Sequence, residues 1–437
     1  MNNWTTRFAA LSTILAALAA AGCPTASDRG GQPAPPAPVA AASDEEKAIA
    51  QQLRDRGWKV TTNDGGFIVG LDLSGPPAAT DADLAVLADL KHVEAIEFDG
   101  PDITDAAIDQ VLHMKDLKKL SFNQTGITDD GISKLATLRK LEDLNFTLTN
   151  VSDDGLKPLA QLPNIKRINC TKTNVTGQAV ANLKDAKTLE LLDFRECPLL
   201  SDDGLEHLVD LPNLKSIKLF SNGVTDVTME YVGQLENLKA FGIYDSIITG
   251  AGLAHLKNNT GLREVFLVRL TVLNGEDYES LSGLTEIYQA RLRDSGMNNA
   301  GMKHLAGWKK LRILDLSETF VGDDGLDSLA GMTELEDLNL WKSLVSDDGV
   351  AKLQKLPALK SLNLDDIGLT DEGLEHAAQI ETLEWLHIGS NFDVTDAGLA
   401  HLKNLKNLKH LICTFTQVTE DGVQDLQQAI PGLKVEH

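Results

Sequence analysis

Residues 117–162 read LKKLSFNQTGITDDGISKLATLRKLEDLNFTLTNVSDDGLKPLAQL, one pattern written twice. With Leu117 as offset 0, apolar anchors stand at offsets 0, 3 and 5 (Leu117, Leu120, Phe122), and the next copy begins at Leu141. The second half of that copy is Ser152-Asp153-Asp154-Gly155-Leu156, followed by Leu159 and Leu162. The halves differ in period. Anchors two apart put side chains on one face of a short strand, whereas anchors three apart form one stripe of a helix. A Ser or Thr ahead of acidic residues suits a helix start, because the hydroxyl satisfies free N–H groups and the carboxylates complement the dipole.

The pattern continues outward without a gap. Copies start at Ile68, Val93, Leu117, Leu141, Ile165, Leu189, Leu214, Leu238, Leu262, Ile287, Leu311, Leu335, Leu359, Leu383 and Leu408, always 24 or 25 residues apart, fifteen in all. A strand–helix unit of this size cannot bury its own apolar face, but stacked units share one continuous core. The pattern L-x-x-L-x-L-x-x-T resembles the leucine-rich repeat signature L-x-x-L-x-L-x-x-N/C-x-L. Thr replaces the usual Asn at Thr125, Thr149, Thr173, Thr319 and Thr416, and a hydroxyl bonds backbone less completely than an amide. The resemblance implies an α/β fold: a right-handed leucine-rich repeat solenoid, or horseshoe, over residues 68–432. It would have a parallel concave sheet and short convex helices.

The ends read as caps. In residues 43–67, Ser43 with Glu46 makes a capping box, and Ile49 and Leu53 lie one helical turn apart. Asn63-Asp64-Gly65-Gly66 then marks a hairpin. Residues 433–437, with Leu433 and Val435, suit a truncated final strand.

Residues 1–22 read as a signal peptide: Arg7 precedes an uncharged run from Phe8 to Ala21, too short to span a bilayer stably. Ala20-Ala21-Gly22-Cys23 resembles a bacterial lipobox, although Ala20 stands where that motif prefers Leu. The resemblance implies lipidation of Cys23; cleavage at Ala21 is the alternative. Residues 23–42, rich in Pro and Ala, read as a tether.

The chain of 437 residues carries 64 acidic and 40 basic side chains, a net charge of −24, which argues against nucleic acid. Cys170 and Cys413 occupy the inward offset 5 and Cys197 a turn, out of step for a disulfide. The D-D-G triplets lack calcium-loop spacing, and His207, His255, His304, His376 and His401 repeat on the convex side too far apart to share a metal. No nucleotide loop, nucleophile elbow or zinc motif is present, so neither a cofactor nor an enzymatic activity is expected.

Side chains at offsets 2, 4, 6 and 7 pave the concave face and are not set by the core. Early units are polar to acidic, but Arg195, Lys218, Phe220, Tyr244, Phe266, Arg269, Arg291 and Arg293 follow in five consecutive units, with Trp341 and Trp385 later. Arg and aromatic residues dominate binding hot spots. The same region holds two irregular segments, Asn258-Asn259-Thr260 and Val272-Leu273-Asn274-Gly275-Glu276, and broken local rules often mark functional sites. The alternative is that exposed aromatics satisfy strand propensity and pack across strands. The favoured function is an exported, lipid-anchored module binding a protein or peptide, in contact with membrane through its anchor only. A second reading is an envelope or adhesion component binding surface polysaccharide on Trp341 and Trp385. A remote third is an enzyme using His387, His410 and Asp365.

Overall fold

Burial of offsets 0, 3 and 5 organises the whole solenoid. In the computed structural model, which describes residues 41–437, every one of these anchors from Ile68 through Leu408 and Leu411 to Cys413 is buried, in one continuous core. Each fully buried Leu or Ile contributes about 1.5–3 kcal/mol relative to exposure, so the periodicity itself selects the fold. At offset 5, Phe98, Phe122 and Phe146 stack in succession, with ring centroids 5.4 and 6.2 Å apart. Ala42–His437 form one compact unit. The expected signal peptide, Cys23 and the tether up to residue 40 lie outside the described residues.

Among the described residues, seventeen strands form one open sheet, paired in chain order. Strand Lys59–Thr62 runs antiparallel to Ile68–Asp72 across the Asn63–Gly66 turn. From Ile68–Asp72 to Lys434–Glu436 every neighbour is parallel, with equal offsets opposite one another, as in Lys119↔Asp143 and Leu120↔Leu144. Short α and 3-10 helices, such as Asp129–Lys134 and Leu135–Thr137, return the chain between strands. At the C-terminal end the helix lengthens to Glu420–Ala429 before the last strand.

The Ser/Thr-Asp pair at the helix start does more than begin a helix. Its Asp reaches into the following unit: one carboxylate oxygen accepts that unit's Ser/Thr backbone N–H and the other its hydroxyl. Asp105 does this for Thr128, Asp226 for Thr249 and Asp347 for Thr370. Ten such clamps follow the axis, with N–H···O at 2.7 to 3.1 Å and O–H···O at 2.5 to 2.7 Å. In seven of the ten a Gly three residues after the clamped Ser/Thr makes room, while Ala107, Ala179 and Thr228 hold that place in the other three. A Cβ on Gly252 would stand 2.1 Å from the Asp226 carboxylate of the preceding unit, and one on Gly349 2.2 Å from that of Asp323.

Beyond the strands, offset 7 is left-handed in twelve units without being glycine, Gln124 and Arg269 among them. Its N–H continues the ladder to the next unit, as in Gln124 N to Thr147 O at 2.9 Å. Thr at offset 8 then donates to its own unit's offset-5 carbonyl, as Thr149 does to Phe146 at 2.8 Å.

One expected detail is corrected at the N-terminal cap. Ser43 accepts from Glu46 N–H at 3.1 Å, but the Glu46 carboxylate does not return to Ser43. It accepts from Ile68 N–H at 2.8 Å, tying the helix Asp44–Asp55 to the first repeat strand. Cys170, Cys197 and Cys413 are buried and unpaired, and burial pushes their thiols up, Cys413 to about 12.

Candidate functional site: the concave middle

In-register pairing sorts the concave side chains into rows. Offset 4 gives the middle row, Asp193↔Lys218↔Gly242↔Phe266↔Arg291↔Asp315. Offset 6 supplies a second row containing Arg195, Phe220, Tyr244, Arg293 and Trp341.

In seven of the eleven other units the middle row has a structural duty, the exceptions being Glu97, Ser121, His387 and Ile412. Asp72, Asn145, Asn169, Asp193, Asp315, Asn339 and Asn363 each accept the backbone N–H two residues on, at 2.8 to 3.2 Å. This Asx turn bends the strand into its loop. In four consecutive units the row becomes Lys218, Gly242, Phe266 and Arg291, none of which carries a side-chain acceptor. The repeat gives up a backbone-supporting bond there and presents cations and an aromatic ring instead.

Lys218 and Arg291 reach Phe266 from opposite sides, their charged ends 5.6 and 5.5 Å from the ring centroid. Cation–π attraction holds this arrangement. It also covers the ring, leaving Phe266 only 5% exposed. Burial pushes the Lys218 ammonium and the Arg291 guanidinium down and the Tyr244 phenol up to about 12. Phe220 lies opposite Tyr244 and lines a hollow of about 530 Å³ with Pro198, Leu199, Asn222 and Asp245.

The remaining expected residues are placed differently. Arg195 is held by the buried carboxylate of Asp193 at 2.8 Å, and Arg269 lies on the left-handed loop paired with Asp245. Arg293 bonds Glu318 at 2.6 Å and covers Trp341 at 5.0 Å, with Lys342 also at 5.0 Å. Trp385 stands four strands beyond Arg291, 7% exposed and edge-on to His387. His387 Nε2 and Asp365 Oδ1 are 3.9 Å apart, too far for a hydrogen bond, and burial pushes the imidazole down. His410 lies on the next strand, opposite Trp385.

The irregular segments have structural causes. Asn259 is buried and donates to Leu235 O at 2.9 Å, and Asn274 caps the helix Gly275–Leu281. The feature that offset counting missed is Gly242. Read down the offset-4 column, it is the row's one residue without a side chain, between Lys218 and Phe266.

A family model described as leucine rich repeat matches residues 113–136, 137–160 and 309–330. No curated protein matches the chain. Among solved structures, an internalin from Listeria monocytogenes is similar at 17% identity and a TM-score of 0.51, over 90% of this chain and 94% of that one. A leucine-rich repeat protein of Leptospira interrogans is similar at 16% identity and a TM-score of 0.51, over 84% of this chain and 95% of that one. At such identities the likeness is one of fold. Anchor period, strand register and these matches agree: the chain carries leucine-rich repeats and folds as a leucine-rich repeat solenoid.

Proposed function

We propose that this is an exported, lipid-anchored, non-catalytic module that binds a protein or peptide partner through the middle of its concave sheet. The observation that carries this reading is the run from Lys218 to Arg291, where four successive units drop the Asx turn for basic and aromatic side chains. In a chain of net charge −24, such a cluster is the region best suited to an acidic or aromatic partner surface. Covered rings weigh against the polysaccharide alternative: Trp385 is nearly buried, and Trp341 carries two cations on its ring. Acidic surroundings weigh against nucleic acid, and the reading requires no cofactor.

Export and anchoring rest on Arg7, the run Phe8–Ala21 and the small residues before Cys23. No helix of the described residues is long and apolar enough to cross a membrane, so the proposed membrane contact is the lipid on Cys23. Mass measurement of the mature N-terminal peptide is expected to show an acylated Cys23; an unmodified peptide starting at Gly22 would contradict it.

Changing Tyr244, Phe266 and Arg293 together to Ala is expected to weaken partner capture at least about tenfold, as for other hot-spot clusters. The check is crosslinking on intact cells, comparing wild-type and triple-variant chains at equal abundance. Equal capture of every partner would place the binding face elsewhere.

A further inference from the structure

The loops that leave the strands form a rim beside the concave sheet, and their exposed side chains change character along the chain. At offset 9 the early units carry Asp102, Gly126, Asn150 and Asn174, so the repeat asks for nothing apolar there. Later units carry Phe320, Leu344 and Phe392 at that offset, and the last full unit carries Phe415 two places earlier in its loop. These four are 65, 64, 69 and 76% exposed. Among the described residues, every exposed large apolar side chain except Val209 and Val227 lies on one of these loops. Single exposed hydrophobics need no explanation, but a run of them marks an interaction surface.

Backbone bonds hold the run in line. Phe320 N–H donates to Met297 O and Leu344 N–H to Val321 O, both at 2.9 Å, so each loop pairs with the one before it. Thr370 bridges to Asp393, and Gln417 N–H donates to Val394 O at 2.9 Å, which continues the row past Phe392 to the last unit. Between Leu344 and Phe392 stands Gly368, with nothing within 4 Å of the place a Cβ would take, an open notch between two apolar shoulders. Phe320 and Phe415 lie four strand spacings of about 4.8 Å apart, which makes a ridge roughly 19 Å long.

The border of this ridge is acidic. Asp348, Glu372, Asp393 and Asp421 are exposed beside it. In segments 318–324, 342–348, 366–372, 390–397 and 415–421 the one basic side chain is Lys342, already placed over Trp341 and 3.8 Å from Asp366. A carboxylate border favours a partner with cations flanking its apolar surface, and it repels anionic phospholipid. A second copy of this chain, at net charge −24, is repelled likewise. The loop backbones are already bonded to one another, so the ridge offers side chains and no open strand edge. A helix, which satisfies its own backbone, suits such a surface.

We propose that the ridge of Phe320, Leu344, Phe392 and Phe415 docks a basic amphipathic helix of a protein partner. The helix lays its apolar face on the ridge, with one side chain in the notch at Gly368, and sets Lys or Arg against Asp348, Glu372, Asp393 and Asp421. About 13 residues of helix cover the length at 1.5 Å per residue. This surface is separate from the concave middle and does not depend on what binds there.

The test titrates the full chain into a labelled Leu–Lys peptide of about eighteen residues, its leucines on one helical face, and reads fluorescence anisotropy. Binding is expected, and it is expected to weaken at least about tenfold in Phe320→Ser/Phe392→Ser/Phe415→Ser and in Asp348→Asn/Glu372→Gln/Asp393→Asn/Asp421→Asn. A Leu–Glu peptide of the same design, and a Leu–Lys peptide in scrambled order, are expected to bind at least about tenfold more weakly than the first. Thermal midpoints check that the variants fold; if the triple-serine chain does not, Phe415→Ser carries the comparison. No binding, or binding unchanged by the serine substitutions, would overturn the ridge as the site. Loss in Tyr244→Ala/Phe266→Ala/Arg293→Ala instead would put the peptide on the concave middle and overturn it too. Equal binding of either control peptide would overturn the basic amphipathic helix. So would phosphatidylglycerol or phosphatidylcholine vesicles bound in place of the peptide and released by the serine substitutions, which would make the occupant a membrane. A dimer in sedimentation that the same substitutions abolish would make the occupant a second copy, with the same consequence.

Discussion

Gly373→Ala is expected to destabilise the solenoid by about 3 kcal/mol, a large effect for one methyl group. Asp347 clamps the Gly373 unit to its own by accepting the Thr370 N–H at 3.1 Å and the Thr370 hydroxyl at 2.6 Å. The new Cβ would stand 2.1 Å from that carboxylate oxygen and 2.4 Å from Leu369 Cδ1, so the clamp or the leucine must move. The clamp is half-exposed, so its two bonds are counted at about 1 kcal/mol each, with overpacking adding about 1–3 kcal/mol. Denaturant titration followed by circular dichroism checks the value. Asp347→Ala alone is expected to cost less, and the double variant to cost less than the two singles summed, since the clashing carboxylate is gone. Additive losses would mean that the glycine is not there for the carboxylate.

Asn391→Ala is expected to cost about 4 kcal/mol. Asn391 is the unit's offset-8 residue, fully buried, in the place held by Thr in five other units. Its oxygen accepts the N–H groups of Ile367 and Leu369 at 3.2 and 2.9 Å. Its amide donates to the carbonyls of Leu364, Ile388 and Gly389 at 2.9 to 3.0 Å. Truncation strands backbone groups of two adjacent units, and each buried orphan costs about 1–3 kcal/mol before relaxation or water entry. Asn391→Thr is expected to fall between, because a Thr hydroxyl at this offset donates to its own unit's carbonyl, as Thr319 does to Leu316, and cannot supply all five of the amide's bonds. A loss below about 1 kcal/mol in the alanine variant would contradict the role of this amide.

The fold was legible because burial repeats with the chain: Leu120, Phe122 and their counterparts announce both period and face. What escaped were contacts whose partner lies a whole unit away. Asp105 looks like a helix-start carboxylate until its register with Thr128 is known, and Glu46 looks like half of a capping box until Ile68 is brought to it. Membership of the concave rows followed from offsets alone. Exposure did not, since the cover over Phe266 depends on where the long side chains of Lys218 and Arg291 lie.

The most direct test of the binding face places a photo-crosslinking residue at Phe220, beside Tyr244, and in a second chain at Ser121, on the same sheet four strands earlier. On irradiation of intact cells, a partner band is expected from position 220 and none from position 121. The same partner from both, or from position 121 only, would contradict a binding face centred on the concave middle.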